Sequence, residues 1–189
     1  MLEIRKGGHR DLERWYSMFE VDFDEKELLP KLGLHTAISR GDVELLILYD
    51  EESRLDLAYA LTVCRNVYGY VLLKYFGVLP WYRGKGIGIQ AMRLINKRYA
   101  DRQGLVAEIT VFDPEDTDTR RKLKKFFSRF GYEEVKSDYR LGGAEVTLMV
   151  KPIRGNADMS PVAHRLIRDF SSRVIGPARQ EKMLEIRPV

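Results

Sequence analysis

The sequence predicts an α/β (α+β) fold: a mixed, mostly antiparallel sheet flanked by helices, with a helical extension at its C-terminal end. Three observations carry that prediction. Strand-like runs first succeed one another directly and later alternate with helical stripes. One glycine-rich segment, Val78-Leu79-Pro80-Trp81-Tyr82-Arg83-Gly84-Lys85-Gly86-Ile87-Gly88, joins a strand-forming run to a helical one. The chain has 189 residues, 44% of them hydrophobic, which suits one domain with a sizeable core and an appendage.

Leu2 to Arg5 reads as a short strand, punctuated by Gly7-Gly8. Leu12, Trp15, Tyr16 and Phe19 then recur at the spacing of one helix face. A second short helix is expected from about Asp24 to Leu32, with Gly33 and Gly41 as breaks between it and the next strand. Val43 to Tyr49 and Leu55 to Cys64 are strands around the turn Asp50-Glu51-Glu52-Ser53, with Leu57, Tyr59, Leu61 and Val63 on one face. Asn66 and Gly69 reverse the chain into the strand that ends at Val78. Gly88, Ala91, Met92, Ile95 and Tyr99 trace a helix face that Gly104 ends. Leu105 to Phe112 is a strand and Asp113 to Asp116 a loop; Leu123, Phe126, Phe127 and Phe130 stripe another helix, read mostly as core. Tyr132–Asp138 and Ala144–Lys151 suggest a hairpin around Gly142-Gly143.

Residues 153–189 form a C-terminal extension beyond a domain of residues 1–152. Arg154 to Asp158 reads as a linker, Ser160 as an N-cap and Pro161 as a first helical residue. Val162, Leu166, Ile167, Phe170 and Val174 make an apolar stripe that needs burial, ended by Gly176-Pro177. A homodimer contact through this helix is preferred over docking on its own chain. Met183-Leu184-Glu185-Ile186-Arg187 repeats Met1 to Arg5 letter for letter, which suits two edge-type strands of equivalent pattern.

The single cysteine, Cys64, excludes an internal disulfide and suits a reducing cytoplasm; it sits in a strand-like run and reads as a buried apolar residue. No apolar run is long enough to span a bilayer, Met1 to Arg5 lacks an apolar signal region, and no Cys/His cluster suggests a metal. A cytoplasmic protein without a membrane partner is expected. The net charge of +4 invites a nucleic-acid reading. The basic residues are spread along the chain and no recognition motif stands out, so no such partner is expected.

The glycine-rich segment reads as a site for a phosphate-bearing ligand. Glycines let backbone N–H groups approach closely, and a helix N-terminus carries partial positive charge. A Walker loop fails because Gly86 is followed by Ile87-Gly88 rather than by Lys and Ser or Thr. A dinucleotide fingerprint fails because the sixth position counted from Gly84 is Ile89. What fits is Arg-x-x-Gly-x-Gly, from Arg83 to Gly88, after a strand ending Val-x-Pro. This resembles the pyrophosphate loop of the GNAT superfamily of acyl-CoA-dependent N-acyltransferases. Phe126-Phe127-Ser128-Arg129-Phe130-Gly131-Tyr132 is similar to the end of that family's helix after strand five, and the order of elements over about residues 1–152 also agrees.

The resemblance implies an acyl-CoA held where the fourth and fifth strands diverge. Phe76, Val78, Arg83, Gly84, Lys85, Gly86, Ile87 and Gly88 would bind acetyl-CoA, with the amide near Phe76 on the acyl carbonyl; Arg120, at a position where relatives often carry asparagine, joins that set. A thioester needs little activation, so positioning and one oxyanion donor suffice for direct attack by an amine. The sequence departs from the family at its acid and base. The usual general-acid tyrosine falls at Phe127, and the strand-four positions of a glutamate base are Leu72 and Lys74. Substitutes are Glu27, within the acidic group Asp22, Asp24, Glu25 and Glu27; Tyr75, as an acid or a wall; and Glu108, facing the cleft or in a structural ion pair. No role falls to His9, His35 or His164. The expected activity is transfer of an acetyl group from acetyl-CoA to a primary amine, with the acidic segment favouring a cationic small molecule. The alternative is an acyl-CoA-binding sensor with weak or lost catalysis.

Overall fold

The computed structural model describes residues 1–154 and 160–187. The strands are β1 (Leu2–Gly7), β2 (Val43–Asp50), β3 (Asp56–Val63), β4 (Tyr70–Val78), β5 (Gly104–Thr110), β6 (Glu133–Val135), β7 (Asp138–Leu141), β8 (Ala144–Pro152) and β9 (Leu184–Arg187). The helices are α1 (His9–Asp22), α2 (Lys31–Ser39), α3 (Ile87–Arg98), α4 (Thr117–Ser128), α5 (Ser160–Ile175) and α6 (Pro177–Met183). The sheet order is β1-β2-β3-β4-β5-β8-β7-β9, with β6 also paired to β8. Among these pairings only β4–β5 is parallel. The mixed, mostly antiparallel sheet therefore forms as the order of strands and helices predicts.

Central strands carry apolar residues on both faces because both faces are covered. Leu12, Trp15 and Phe19 of α1, Leu34 and Ala37 of α2 and Tyr59, Leu61 and Val63 of β3 share one cluster. Met92 and Ile95 of α3, Tyr99 at its C-cap and Phe127 of α4 close the other face over Val71, Leu73 and Ala107. Cys64 is 9% exposed, and burial pushes its thiol pKa up.

The β4–β5 pair positions the site. Its parallel ladder runs from Tyr70↔Gly104 to Leu73↔Ala107 and stops, while β4 continues to Val78 and β5 to Thr110. On the other side of β4 the register passes from Leu61↔Tyr75 to Thr62↔Leu73, so Lys74 is bulged out of the β3 ladder. The two strands part at that bulge, leaving a gap in the middle of the sheet.

Three expectations are corrected. The second helix starts at Lys31 behind Pro30, not near Asp24, and Gly33 lies inside it. A Cβ at Gly33 would come within 2.5 Å of the Val174 carbonyl oxygen, so this glycine admits α5 against α2 rather than breaking a helix. The run Tyr132–Asp138 is divided into β6 and β7; only β7 forms the hairpin with β8 around Gly142-Gly143. The dimer contact gives way to docking within the chain. Ala163, Leu166, Ile167 and Phe170 of α5 are at most 1% exposed and belong to the same cluster as Leu12 and Trp15. Tyr68 donates to Asp169 (2.6 Å) and Arg173 to Asp42 (3.3 Å) at its rim. The extension also holds a second helix, α6, which the stripe pattern did not indicate. Residues 155–158 of the expected linker lie outside the described residues. The repeated pentapeptide does form two edge strands, β1 and β9, at opposite ends of the sheet.

Candidate functional site

A cavity of about 630 Å³ opens where β4 and β5 part. Its walls come from the C-terminal end of α1 and the loop after it, the second half of β4, the Arg83–Gly88 loop, the end of β5 and α4.

At one end lies the glycine loop. A single 3-10 turn, Pro80–Tyr82, leads into it. Gly84 and Gly86 have φ of +74° and +78°, and nothing stands within 4 Å of a Cβ built on either. Glycine is thus required there by backbone hand, and the surrounding space is open. Gly86 is the N-cap of α3 without a side-chain cap; Ile89 and Gln90 N–H turn back to its carbonyl, and the N–H groups of Ile87 and Gly88 precede the first such bond. Alternating left-handed glycines at a helix start form a concave set of N–H donors suited to a phosphate. Gly88 lines the cavity, its missing Cβ facing Val78 Cγ2 and the Phe126 ring at 3.6–3.7 Å. Ile87 opens the helix and packs beside Val78. Lys85 is exposed, its ammonium 5.7 Å from the Tyr82 ring centroid.

Arg83 occupies a different place from the rest of its loop. Its Nε donates to the Val78 carbonyl (2.9 Å) and its Nη2 to Asp22 Oδ1 (2.6 Å), while Tyr59 donates to Asp22 Oδ2 (2.6 Å). A Cβ on Gly77 would overlap that Tyr59 hydroxyl, which explains the glycine. The Arg83 guanidinium therefore straps the end of α1 to β4 across the cavity wall. Phe76 lines the cavity and stacks on Phe126 with ring centroids 6.0 Å apart.

At the other end are buried charges. The Glu108 side chain is fully buried and receives Lys74 Nζ at 2.6 Å and the Tyr139 hydroxyl at 2.9 Å. Burial pulls the Lys74 pKa down, but the charges of Glu108 and Glu27 and the Glu108 hydrogen bond outweigh it and leave it raised. Glu27, in the loop between α1 and α2, is 6% exposed and lines the same cavity. Burial pushes its pKa up to about 7. The Lys74 charge pulls the other way, the Glu108 charge adds to the rise, and the neighbouring Thr110 hydroxyl opposes it. A carboxyl so placed exchanges a proton near neutrality.

The sequence-predicted residues are thus divided. Glu27, Phe76, Val78, Arg83, Gly88 and Glu108 line one cavity, and Gly84, Lys85, Gly86 and Ile87 form the loop and helix start beside it. Tyr75 and Arg120 do not line it. The Tyr75 hydroxyl accepts from Leu29 N–H (2.8 Å) and donates to the Glu27 carbonyl (3.0 Å), and burial drives its pKa well up. Tyr75, expected as an acid or a wall, is a post that holds the Glu27 loop. Arg120 donates to the Glu145 carbonyl (3.2 Å) and Thr147 Oγ1 (3.1 Å), tying α4 to β8. Glu108 both lines the cleft and forms an ion pair, the two readings its position allowed. His9, His35, Glu13 and Ser39 cluster on the outer side of α1 and α2, and His164 meets Ser137.

Sequence reasoning missed the Lys74–Glu108 pair, Tyr139 beneath it, and the aromatic stripe of α4 as a wall: Leu123, Phe126 and Phe127 line the cavity as well as packing on the core. The pair left a signal. One lysine and one glutamate each interrupt an apolar strand, in two strands predicted to be neighbours.

No protein-family model matches the chain, and no curated protein matches it in sequence. Solved structures do match. A protein assigned as a GNAT-family acetyltransferase from Bacteroides thetaiotaomicron superposes over 93% of this chain and 99% of its own, with TM-score 0.69 and 18% identity. NAA60 of Arabidopsis thaliana, solved with a bisubstrate analogue, covers 82% of this chain and 100% of its own at TM-score 0.61 and 14% identity. The ribosomal-protein-S18-alanine N-acetyltransferase of Escherichia coli covers 84% of this chain and 97% of its own at TM-score 0.60 and 16% identity. With the parted β4 and β5 and the glycine loop between β4 and α3, these similarities give the chain the fold of the GNAT N-acetyltransferases.

Proposed function

We propose that the chain is an N-acetyltransferase that passes an acetyl group from acetyl-CoA directly to a primary amine. The observation that supports this most is the layout of one cavity: a glycine nest and helix N-terminus at one end, a buried carboxyl titrating near neutrality at the other, and the parted strands between them.

In this reading the pyrophosphate of acetyl-CoA rests on the N–H groups of the Gly84–Gly88 segment, and Lys85 adds positive charge nearby. The pantetheine arm runs along β4 past Val78 and Phe76, with Phe126 as the opposite wall. The thioester then lies at the parting of β4 and β5. The acceptor enters as an ammonium ion and gives one proton to the Glu27 carboxylate. Its freed lone pair attacks the thioester carbon, and a backbone amide near Phe76 receives the oxyanion. As the carbonyl re-forms, the C–S bond breaks and the electron pair leaves on sulfur. The new amide loses its remaining extra proton to water, and coenzyme A leaves as thiolate or takes a proton from solvent. Phe127 lines the cavity without a hydroxyl, so that side chain does not supply the proton.

The lining also restricts the acceptor. Lys74 is paired with Glu108 and Arg83 with Asp22, so neither of these lining cations is free for a substrate carboxylate. Asp24, Glu27, Phe23 and Phe112 instead suit an ammonium on an apolar body. Release of free coenzyme A, measured over a panel of amines and amino acids, tests both statements. Turnover with uncharged-tail or cationic amines and little with free amino acids is expected. Acetyl-CoA binding without release of coenzyme A for any amine would favour a binding module, the reading that phenylalanine at position 127 supports.

A further inference from the structure

The Lys74–Glu108 ion pair is an unusual object. Its two side chains are 6% and 0% exposed, and removing two charges from water costs several kcal/mol each. Apolar residues of similar size would fill the space without that cost. Its location is specific. The last parallel pair of the sheet is Leu73↔Ala107, and Lys74 and Glu108 are the next residues of their strands. The ion pair bridges β4 and β5 at the point where the backbone ladder ends, and it forms the floor of the cavity. The bulge at Lys74 frees that residue from the β3 register and lets its side chain cross to β5.

The partners around the pair complete the arrangement. Glu108 has one oxygen on Lys74 and the other on the Tyr139 hydroxyl, so both oxygens are engaged and neither is left for a substrate proton. Tyr139 is 1% exposed and belongs to β7, which β9 of the C-terminal extension covers through Tyr139↔Ile186. Lys74 has Glu108 as its hydrogen-bonded partner and Glu27 as a second carboxyl within electrostatic reach. Glu27 is held from behind by its own backbone, whose carbonyl accepts from Tyr75. The charged or titratable groups facing Glu27 are Lys74 and Tyr75 from β4, Glu108 from β5, Tyr139 from β7 and Asp24 from its own loop.

We propose that Lys74 and Glu108 are positioning residues for Glu27: the ammonium of Lys74, held by Glu108 where β4 and β5 part, sets the pH at which Glu27 exchanges its proton. Glu27 is the group that meets substrate; the pair acts through it. The two members act with opposite sign. Lys74 favours the carboxylate form of Glu27, and Glu108 both opposes that form directly and engages Lys74. This inference rests on Glu27 as the base, yet its own test needs no acceptor and no turnover.

The test is NMR titration of the full chain carrying carboxyl-labelled glutamate, with the Glu27 resonance identified by its loss in Glu27→Gln. In the wild type the midpoint is expected near neutrality. In Lys74→Met it is expected to rise by about one pH unit or more, and in Glu108→Gln to fall by a similar amount, the range typical of a close charge in a buried site. Where Lys74→Met alone does not fold, the double variant Lys74→Met with Glu108→Gln removes both charges together and is expected to lie above the wild type. Midpoints that stay together within a few tenths of a unit, or that move in the same direction in both single variants, overturn the proposal. Turnover of Glu27→Gln is read separately. Full activity there overturns Glu27 as the base and leaves the titration result standing.

Discussion

At the scale of single residues, the chemistry gathers on Glu27 and on two glycines. Loss of the Glu27 carboxylate is expected to lower kcat by ~10²- to 10⁴-fold in Glu27→Gln, the range of general base catalysis, with acetyl-CoA affinity unchanged. The same substitution is expected to affect stability with a definite sign. The Glu27 pKa rises from 4.5 to about 7 on folding, so between these values the folded state holds more protons than the unfolded one. Wild-type stability therefore falls as pH rises through that window, by an amount on the order of 3 kcal/mol. Glu27→Gln is expected to melt higher than the wild type at pH about 8 and to show no such gain at pH about 5. A gain of equal size at both values would contradict a buried titrating carboxyl. Phe127→Tyr supplies a phenolic hydroxyl at a cavity-lining position that has none. Turnover is expected to rise, by up to ~10²-fold, if proton supply to sulfur limits the rate. An unchanged rate in single-turnover measurements would show that the thiolate leaves without help. At this scale the loop was legible, because backbone hand forces glycine at positions 84 and 86. The placement of Tyr75 and Arg120 was not: a side chain's type gives its chemistry, while its direction is set by packing, and Tyr75 meets the Glu27 carbonyl while Arg120 meets the Glu145 carbonyl and Thr147 Oγ1.

At the scale of elements, the parting of β4 and β5 and the docking of α5 on α2 decide the architecture. Strands and helices were readable from apolar periodicity over α1, β2, β3, α3 and β5. Helix α2 was misplaced because its glycine reads as a breaker in isolation. Only the packing of Val174 against Gly33 explains it. A helical glycine replaced by alanine usually gains about 1 kcal/mol. Gly33→Ala is expected to lose about 1–3 kcal/mol instead, since the new methyl group meets the backbone of α5 and overpacked cores lose energy of that size. Urea unfolding measures it, and a stabilised Gly33→Ala would contradict the tight α2–α5 contact. The ion pair at the parting illustrates the other limit. Two opposite charges in neighbouring apolar strands were visible in the sequence, but their register depends on the bulge at Lys74, which no local pattern encodes.

At the scale of the whole molecule, the C-terminal extension completes the domain. The stripe on α5 recorded a need for burial but not the surface that meets it, and the surface is the chain's own. Leu166, Ile167 and Phe170 are almost fully buried, each contributing about 1.5–3 kcal/mol. Their sum is comparable with the whole stability of a domain this size. A chain cut after Pro152 is expected to unfold or precipitate, and a soluble, cooperatively folded fragment would contradict the shared core. The extension also reaches the site: β9 covers β7, whose Tyr139 supports Glu108, and the Met183 carbonyl accepts from Gly142 N–H at 2.8 Å beside the Glu27 loop. The central claim is that the cavity between β4 and β5 holds acetyl-CoA by its glycine loop. Calorimetric titration of the full chain with acetyl-CoA, in the wild type and in Gly86→Asp, tests it most directly. Gly86→Asp puts a carboxylate, on a residue strained at positive φ, where the pyrophosphate rests. One acetyl-CoA per chain in the wild type, and no measurable binding by a still-folded Gly86→Asp, is the predicted result; equal affinity in the two proteins would contradict it.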